Sequence, residues 1–140
     1  MDISNTQDSI ILPLVRTTFT NCIVTGSGDD ELTGLVADSI QGYSPDEISN
    51  YRISSSLVLT VDTVNPHLKG NVWELDGHDV YGARNFRHVA QGDYYYDFSL
   101  DSLSRAIGIA VPTSLCPFDM NGVIRPDSAA DAGCLQYVKP

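Results

Sequence analysis

Short apolar runs separated by turn residues dominate this chain. Between residues 53 and 62, Leu57, Leu59 and Val61 fall on one face of an extended backbone, and polar side chains enter the other face. Runs rich in β-branched and aromatic residues predict further strands over residues 10–15, 19–25, 32–37, 71–75, 94–100, 106–111 and 134–138. Clusters of Gly, Asn, Asp and Pro between these runs are typical of turns. The pattern predicts an all-β fold.

One segment has helical signals. Ser44 is followed by Pro45, and Glu47 stands three residues after Ser44, which is the pattern of a capped helix start. The sequence therefore predicts at most a short helix near residues 45–51. No linker or low-complexity tract interrupts the chain, so residues 1–140 are interpreted as a single β domain.

The apolar phase of the strands also predicts which side chains are largely buried. The predicted core consists of Val36, Leu57, Leu59, Trp73, Phe86, Ile107, Ile109, Phe118 and Leu135.

The charge of the chain narrows the classes of partner. Eighteen acidic and eight basic residues give a formal net charge of −10. Such a surface repels phosphate backbones and anionic lipid, so neither nucleic acid nor a membrane is expected as partner. The polar, acidic first residues do not resemble a signal peptide, which leaves a cytoplasmic protein or the mature form of a secreted one.

Candidate chemistry is sparse. The three cysteines lack the paired spacing of a zinc site, although Cys116 and Cys134 could form a disulfide if their strands are neighbours. His67, His78 and His88 show no metal-ligand spacing, and no hydrolase, metalloprotease or phosphate-loop motif is present. We therefore assign no catalytic residue, metal or cofactor, and favour a protein that is not an enzyme.

Residues 76–90 carry the most informative motif. The turn dipeptide Asp76-Gly77 is followed by Tyr81 and then by Asn85-Phe86. This order resembles the junction between the two repeats of cyanovirin-N homology lectins. The resemblance covers roughly residues 15–138 and implies two related β repeats, at about 19–81 and 86–137, with a pseudo-two-fold relation. Disulfide-bearing members pair a cysteine at the place of Cys22 with one at the place of Val36, so this chain would resemble members without disulfides.

The resemblance implies a lectin-like protein that is a monomer or a homodimer. Its implied ligand is an oligosaccharide, of the mannose type, or a glycoprotein. Carboxylates, amides and Arg can satisfy sugar hydroxyls, which both donate and accept hydrogen bonds. Matched to the family's sugar-binding loops, the candidate binding residues are Glu74, Asp76, Gly82, Arg84, Asn85, Thr113 and Ser114.

Two other functions stay open. Tyr94, Tyr95 and Tyr96 lie consecutively on a predicted strand. They either pack in the core or along an edge strand, or they form a recognition surface for another protein, as in an interaction or coat-like protein. A small β-barrel cyclase or isomerase with an apolar pocket lined by aromatic residues needs few polar groups, so the missing motifs do not exclude it.

Overall fold

The computed structural model describes residues 14–32, 44, 49–74, 82–90, 92 and 94–139. These residues contain eight strands and one short 3-10 helix. In chain order they are β1 (Leu14–Thr20), β2 (Ile23–Val24), β3 (Ser49–Ser54), β4 (Leu57–Val58), β5 (Leu68–Lys69), β6 (Val72–Trp73), the 3-10 helix Ala83–Asn85, β7 (Phe86–Ala90) and β8 (Tyr95–Leu100). The all-β prediction is confirmed.

The helix predicted near residues 45–51 is corrected in part. Residues 45–48 lie outside the described residues, and residues 49–51 belong to strand β3. The run Tyr51-Arg52-Ile53 alternates in exposure, with Ile53 buried, because the segment pairs as a strand in a sheet. Sheet pairing therefore overrides the local capping pattern at these positions.

By its contacts the chain divides into two compact units, one formed by Met1–Thr17 with Leu35–Tyr51 and the other by Thr18–Gly34 with Arg52–Pro140. The described part of the first unit consists of Ser44 and the initial residues of β1 and β3. The second unit contains the remaining strands. The single-domain interpretation stays a prediction.

A turn of one kind occurs three times in the second unit. In Thr20–Val24, Ser54–Val58 and Lys69–Trp73, a strand ends, one residue with positive φ follows, then one polar residue, and a two-residue strand begins. The residues with positive φ are Asn21 (60°), Ser55 (51°) and Gly70 (62°). Asn and Gly tolerate this left-handed backbone better than most residues, which favours the turn at two of the three places.

The three turns stack on one another. Strands β2, β4 and β6 pair in parallel, with Ile23 opposite Leu57 and Leu57 opposite Val72. Polar side chains continue the ladder through the turns, because the Cys22 N–H donates to Ser56 Oγ at 3.0 Å and the Ser56 N–H donates to Asn71 Oδ1 at 3.0 Å. This part of the chain is therefore wound in successive coils, as in a solenoid.

The core lies between this stack and the C-terminal residues. Leu57 and Leu100 form a buried cluster with four alanines, Ala106, Ala110, Ala130 and Ala132. Of the predicted core, Leu57 and Leu59 are buried, and Phe86, Ile107 and Ile109 are half-buried against the cluster.

The four other members of the predicted core have different outcomes. The predicted burial of Phe118 is wrong. Its side chain is 52% exposed, and its backbone forms only an isolated bridge to Ile124. Trp73 and Leu135 are half-buried. Val36 lies outside the described residues.

Side chains replace strand partners in the C-terminal segment. The predicted strands over 106–111 and 134–138 are wrong; residues 106–111 form only one isolated bridge, from Ala110 to Ala130. The N–H groups of Gly108 and Tyr137 donate to the buried Asp131 carboxylate, at 2.8 and 2.7 Å. Asp131 thus supplies the acceptors that a neighbouring strand would otherwise supply, and stabilises an irregular backbone here.

Asp119 has a similar role nearby. Its carboxylate accepts hydrogen bonds from the N–H groups of Asn121, Val123 and Gln136. Burial raises the pKa of this carboxyl, but these three donors and the charge of Arg125 outweigh burial and hold the pKa below its ordinary value.

The pairing differs between the two predicted repeats. Residues 19–81 contain parallel pairs, whereas β7 and β8, within residues 86–137, form an antiparallel hairpin with a register shift between Phe86 and His88. The internal two-fold repeat is therefore not confirmed among the described residues.

Candidate functional site

Three residues predicted from the sequence line one cleft of about 390 Å³ in the second unit. Glu74 follows β6, and Arg84 and Asn85 belong to the 3-10 helix that precedes β7. Asp101, directly after β8, and Arg105 are further charged residues of the described lining. The cleft therefore lies where the ends of β6 and β8 meet the start of β7.

Asn85 organises the floor of this cleft. Its side chain is 1% exposed and uses its full hydrogen-bonding capacity. The amide nitrogen donates to the Glu74 carboxylate and to the Gly82 carbonyl, and Oδ1 accepts from Ser104 Oγ at 3.2 Å and from the Arg105 N–H at 3.1 Å. One buried amide thus joins three segments that are distant in the sequence.

Gly82 contributes through its backbone. It is buried, its φ is +69°, and its carbonyl also accepts the Asn85 N–H at 3.0 Å. A Cβ atom at this position would lie 2.3 Å from Thr25 Oγ1. Gly82 therefore positions the 3-10 helix and has no side chain to offer a ligand.

The Asp101 carboxylate and the Arg105 guanidinium differ in exposure and in hydrogen-bond partners. Asp101 is half-buried, and its Oδ1 accepts the Leu103 N–H at 2.9 Å and the Ser102 hydroxyl at 3.4 Å. Asp101 Oδ2 has no hydrogen-bond partner within the described ranges. Arg105 is exposed, and its guanidinium forms no hydrogen bond or ion pair with any described residue. Both groups are therefore available to a ligand.

The other predicted site residues have different outcomes. Asp76 lies outside the described residues. Thr113 and Ser114 are exposed, and Thr113 lines a different cavity together with Cys116 and Asp119. The structure therefore does not bring the Thr113–Ser114 loop to the cleft of Glu74 and Asn85.

Sequence reasoning missed Asp101 and Arg105. The signal available was a polar segment directly after a predicted strand, Asp101-Ser102-Leu103-Ser104-Arg105. Its connection to Asn85 depends on the Asp101 N–H donating to the Asn85 carbonyl at 3.1 Å, a contact between residues well separated in sequence. No local pattern encodes that contact.

A second cavity, of about 450 Å³, is mostly apolar. Ile23, Phe86 and Phe98 line it, and the two phenylalanine rings meet edge to face with centroids 5.3 Å apart. Cys22 and Cys134 lie at its wall, and burial raises the pKa of the Cys22 thiol despite its hydrogen bond to the Thr20 carbonyl.

The cysteines are free. Neither Cys116 nor Cys134 is in a disulfide, and both are exposed, so the disulfide considered from the sequence is absent from the structure. Within the ranges described, no group of three His, Cys, Asp or Glu side chains could hold a metal ion.

The tyrosine strand is exposed. Tyr94, Tyr95 and Tyr96 are 86%, 58% and 45% exposed, and Phe98 is 48% exposed. Tyr96 stacks on Phe98 with centroids 5.9 Å apart, and Tyr95 contacts the ring of His88. None of the three tyrosines therefore packs into the core, whereas the edge-strand packing considered from the sequence agrees with the position of Tyr95 and Tyr96 on β8 of a two-stranded sheet.

The part of the chain that the structure describes contains no helix with the length and apolarity that crossing a membrane requires. Comparison with protein-family models, with curated proteins and with solved structures finds no match to this chain.

Proposed function

We propose that the cleft of Glu74, Arg84, Asn85, Asp101 and Arg105 binds an oligosaccharide without transforming it. The observation that carries the proposal is the combination of exposed cationic donors with a carboxylate oxygen, Asp101 Oδ2, in one cleft. Sugar hydroxyls donate and accept hydrogen bonds together, so they need both kinds of group within reach.

The parts of the cleft have distinct roles in this proposal. The Asp101 carboxylate accepts a hydrogen bond from a sugar hydroxyl. The guanidinium groups of Arg84 and Arg105 donate hydrogen bonds to ring or hydroxyl oxygens of the sugar. Phe86, which is half-buried and also lines the cleft, packs against the apolar C–H face of a sugar ring. Glu74, which is 4% exposed, holds Asn85 and thereby the shape of the floor.

The resemblance to cyanovirin-N homology lectins names mannose-type oligosaccharides as the ligand class. The two-repeat organisation at residues 19–81 and 86–137 is part of the same proposal. Both stay predictions, and a binding experiment addresses the ligand class directly.

The experiment is titration of the protein with a panel of neutral and acidic oligosaccharides. Arg84→Ala should weaken binding by about 1–3 kcal/mol, because a charged hydrogen-bond donor is removed. Arg52→Ala is the matched control, since Arg52 is exposed but lies outside the cleft. Binding of no oligosaccharide, together with occupation of the apolar cavity by a hydrophobic small molecule, would refute the proposal and favour the barrel-enzyme alternative.

A second candidate function is protein recognition through β8. The rings of Tyr96 and Phe98 are each about half exposed and stack on one face of β8, with Tyr95 on the other face, and tyrosine is enriched at the centres of protein interfaces. Replacing Tyr96 and Phe98 with Ser should abolish capture of a protein partner if this surface is the interface. Unchanged capture by the double variant would exclude it.

A further inference from the structure

We infer that the ligand of the cleft is an acidic oligosaccharide, one whose sugars carry carboxylate groups, as uronic acids do. This inference rests on the proposed saccharide site and specifies its ligand. It differs from the resemblance, which implies neutral, mannose-type sugars, and the two ligand classes are alternatives that the experiment below separates.

The charged side chains of the described lining differ in exposure. Arg84 and Arg105 are exposed. The carboxylates of Glu74 and Asp101 are withdrawn: Glu74 is 4% exposed and accepts from Asn85, and Asp101 is half-buried with Oδ1 occupied by the Leu103 N–H. Among the described lining residues the exposed charges are therefore positive, whereas the formal net charge of the chain, −10, opposes binding of a ligand with many carboxylates.

Arg105 combines a fixed backbone with an exposed guanidinium. Although Asp101 lines the same cleft, the two side chains form no ion pair, and the Arg105 guanidinium contacts no other described charge. The backbone of Arg105 is nevertheless fixed, because its N–H donates to the buried Asn85 Oδ1 at 3.1 Å. A guanidinium on an anchored backbone, without a partner in the described residues, suits a planar anion that accepts two parallel N–H bonds.

Asp101 distinguishes an acidic sugar from other anions. A ligand carboxylate can pair with the Arg105 guanidinium. The same carboxylate offers no hydrogen-bond donor to Asp101 Oδ2, and the charge of Asp101 repels it. A uronic acid carries hydroxyl groups on the same ring, and one of these donates to Asp101 while the carboxylate binds the arginine. The cleft thus offers one position for a carboxylate and one for a hydroxyl, which a simple inorganic anion does not satisfy.

The test compares two ligands that differ only at the carboxylate. A short oligosaccharide that carries one uronic acid and the neutral oligomer obtained by reducing that carboxylate to an alcohol are titrated against the full chain by calorimetry at low salt. We expect the acidic oligomer to bind about tenfold tighter or better, and the difference to shrink as salt is added.

Variants assign the preference to Arg105. Arg105→Gln should remove the difference between the two oligomers, and Arg105→Lys should keep part of it, because an ammonium retains the charge without the planar fork. Arg52→Gln is the control and should leave both affinities unchanged, since Arg52 lies outside the cleft. Thermal unfolding of each variant verifies that it is folded; if Arg105→Gln is not, Arg105→Lys and Arg84→Gln carry the test.

Failure of the acidic-ligand inference and failure of the saccharide site give different results. Equal affinity for the two oligomers, or a preference that persists in folded Arg105→Gln, overturns this inference and leaves the saccharide site standing. Binding of neither oligomer, and of no other saccharide, overturns the proposed function and this inference with it.

Discussion

Replacing Asn85 by Ala removes the side chain that connects the segments of the cleft. The amide makes four hydrogen bonds, and its loss deprives the Glu74 carboxylate, the Ser104 hydroxyl and the Arg105 N–H of a partner at a site where Asn85 itself is 1% exposed. A buried polar group that loses its partner costs about 1–3 kcal/mol, and a charged one costs more. We therefore expect the free energy of unfolding to fall by about 3–5 kcal/mol.

The assay is urea denaturation followed by tryptophan fluorescence, since the chain has one tryptophan, Trp73, adjacent to Glu74. With an unfolding slope of roughly 2 kcal/mol per molar urea, the midpoint should fall by about 2 M. Asn50→Ala is the matched control, because Asn50 is exposed in β3, and it should change stability by less than about 0.5 kcal/mol. A loss below about 1 kcal/mol for Asn85→Ala would show that the amide does not hold the cleft together.

Asn85→Asp gives an independent measurement at the same position. It keeps the size of the side chain but places a second carboxylate against Glu74 and replaces the amide donor. Like charges at this distance repel each other, so the variant should be strongly destabilised at neutral pH. Protonation relieves the repulsion, so the deficit relative to the wild-type chain should decrease at acidic pH. A deficit that does not depend on pH would contradict the contact with Glu74.

Two further predictions concern the core and the C-terminal segment. Leu57→Ala should cost about 2–5 kcal/mol in urea denaturation, because Leu57 is fully buried, whereas Phe118→Ala should cost less than about 1 kcal/mol, because Phe118 is half exposed; equal losses would contradict the assigned core. The pKa of Asp119 is held below its ordinary value, so its contribution to stability is present above the unfolded-state pKa of about 3.9 and is lost as the pH falls through the lower folded-state value. Asp119→Asn should therefore flatten the loss of stability in acid, and an unchanged pH profile would refute this role.

Local patterns in the sequence predicted strand β8 well, because the run Tyr94–Leu100 is rich in aromatic residues and pairs with an adjacent strand in a hairpin. The same kind of pattern failed over residues 106–111. There the backbone is satisfied by distant side chains: Asn21 Oδ1 accepts the Val111 N–H at 2.9 Å, and Asn21 Nδ2 donates to the Val111 carbonyl at 2.7 Å. Partners 90 residues apart leave no periodic signal in either segment.

The stacked turns were also present in the sequence, although they were not recognised as a repeat. The segments Thr20–Val24, Ser54–Val58 and Lys69–Trp73 each contain a small or turn-forming residue, then Cys, Ser or Asn, then two apolar residues. Unequal spacing hides this likeness, because repeats are normally recognised by a fixed period. Of the residues that line the cleft, Glu74, Arg84 and Asn85 were named from the sequence in or beside the Asp76–Phe86 motif, and their binding role stays a prediction. Asp101 and Arg105 join the cleft through long-range contacts.

The unequal coils have a consequence for the order in which the chain assembles. The contact between Ser56 and Asn71 closes a loop of 15 residues, whereas the contact between Cys22 and Ser56 closes one of 34. By loop-closure entropy alone, the longer loop costs about 0.7 kcal/mol more. We therefore expect β4 and β6 to pair first and to provide the edge on which β2 is added. During synthesis on a ribosome, β2 leaves the exit tunnel before β4 and β6. It nevertheless pairs last, so the order of pairing is the reverse of the order of synthesis.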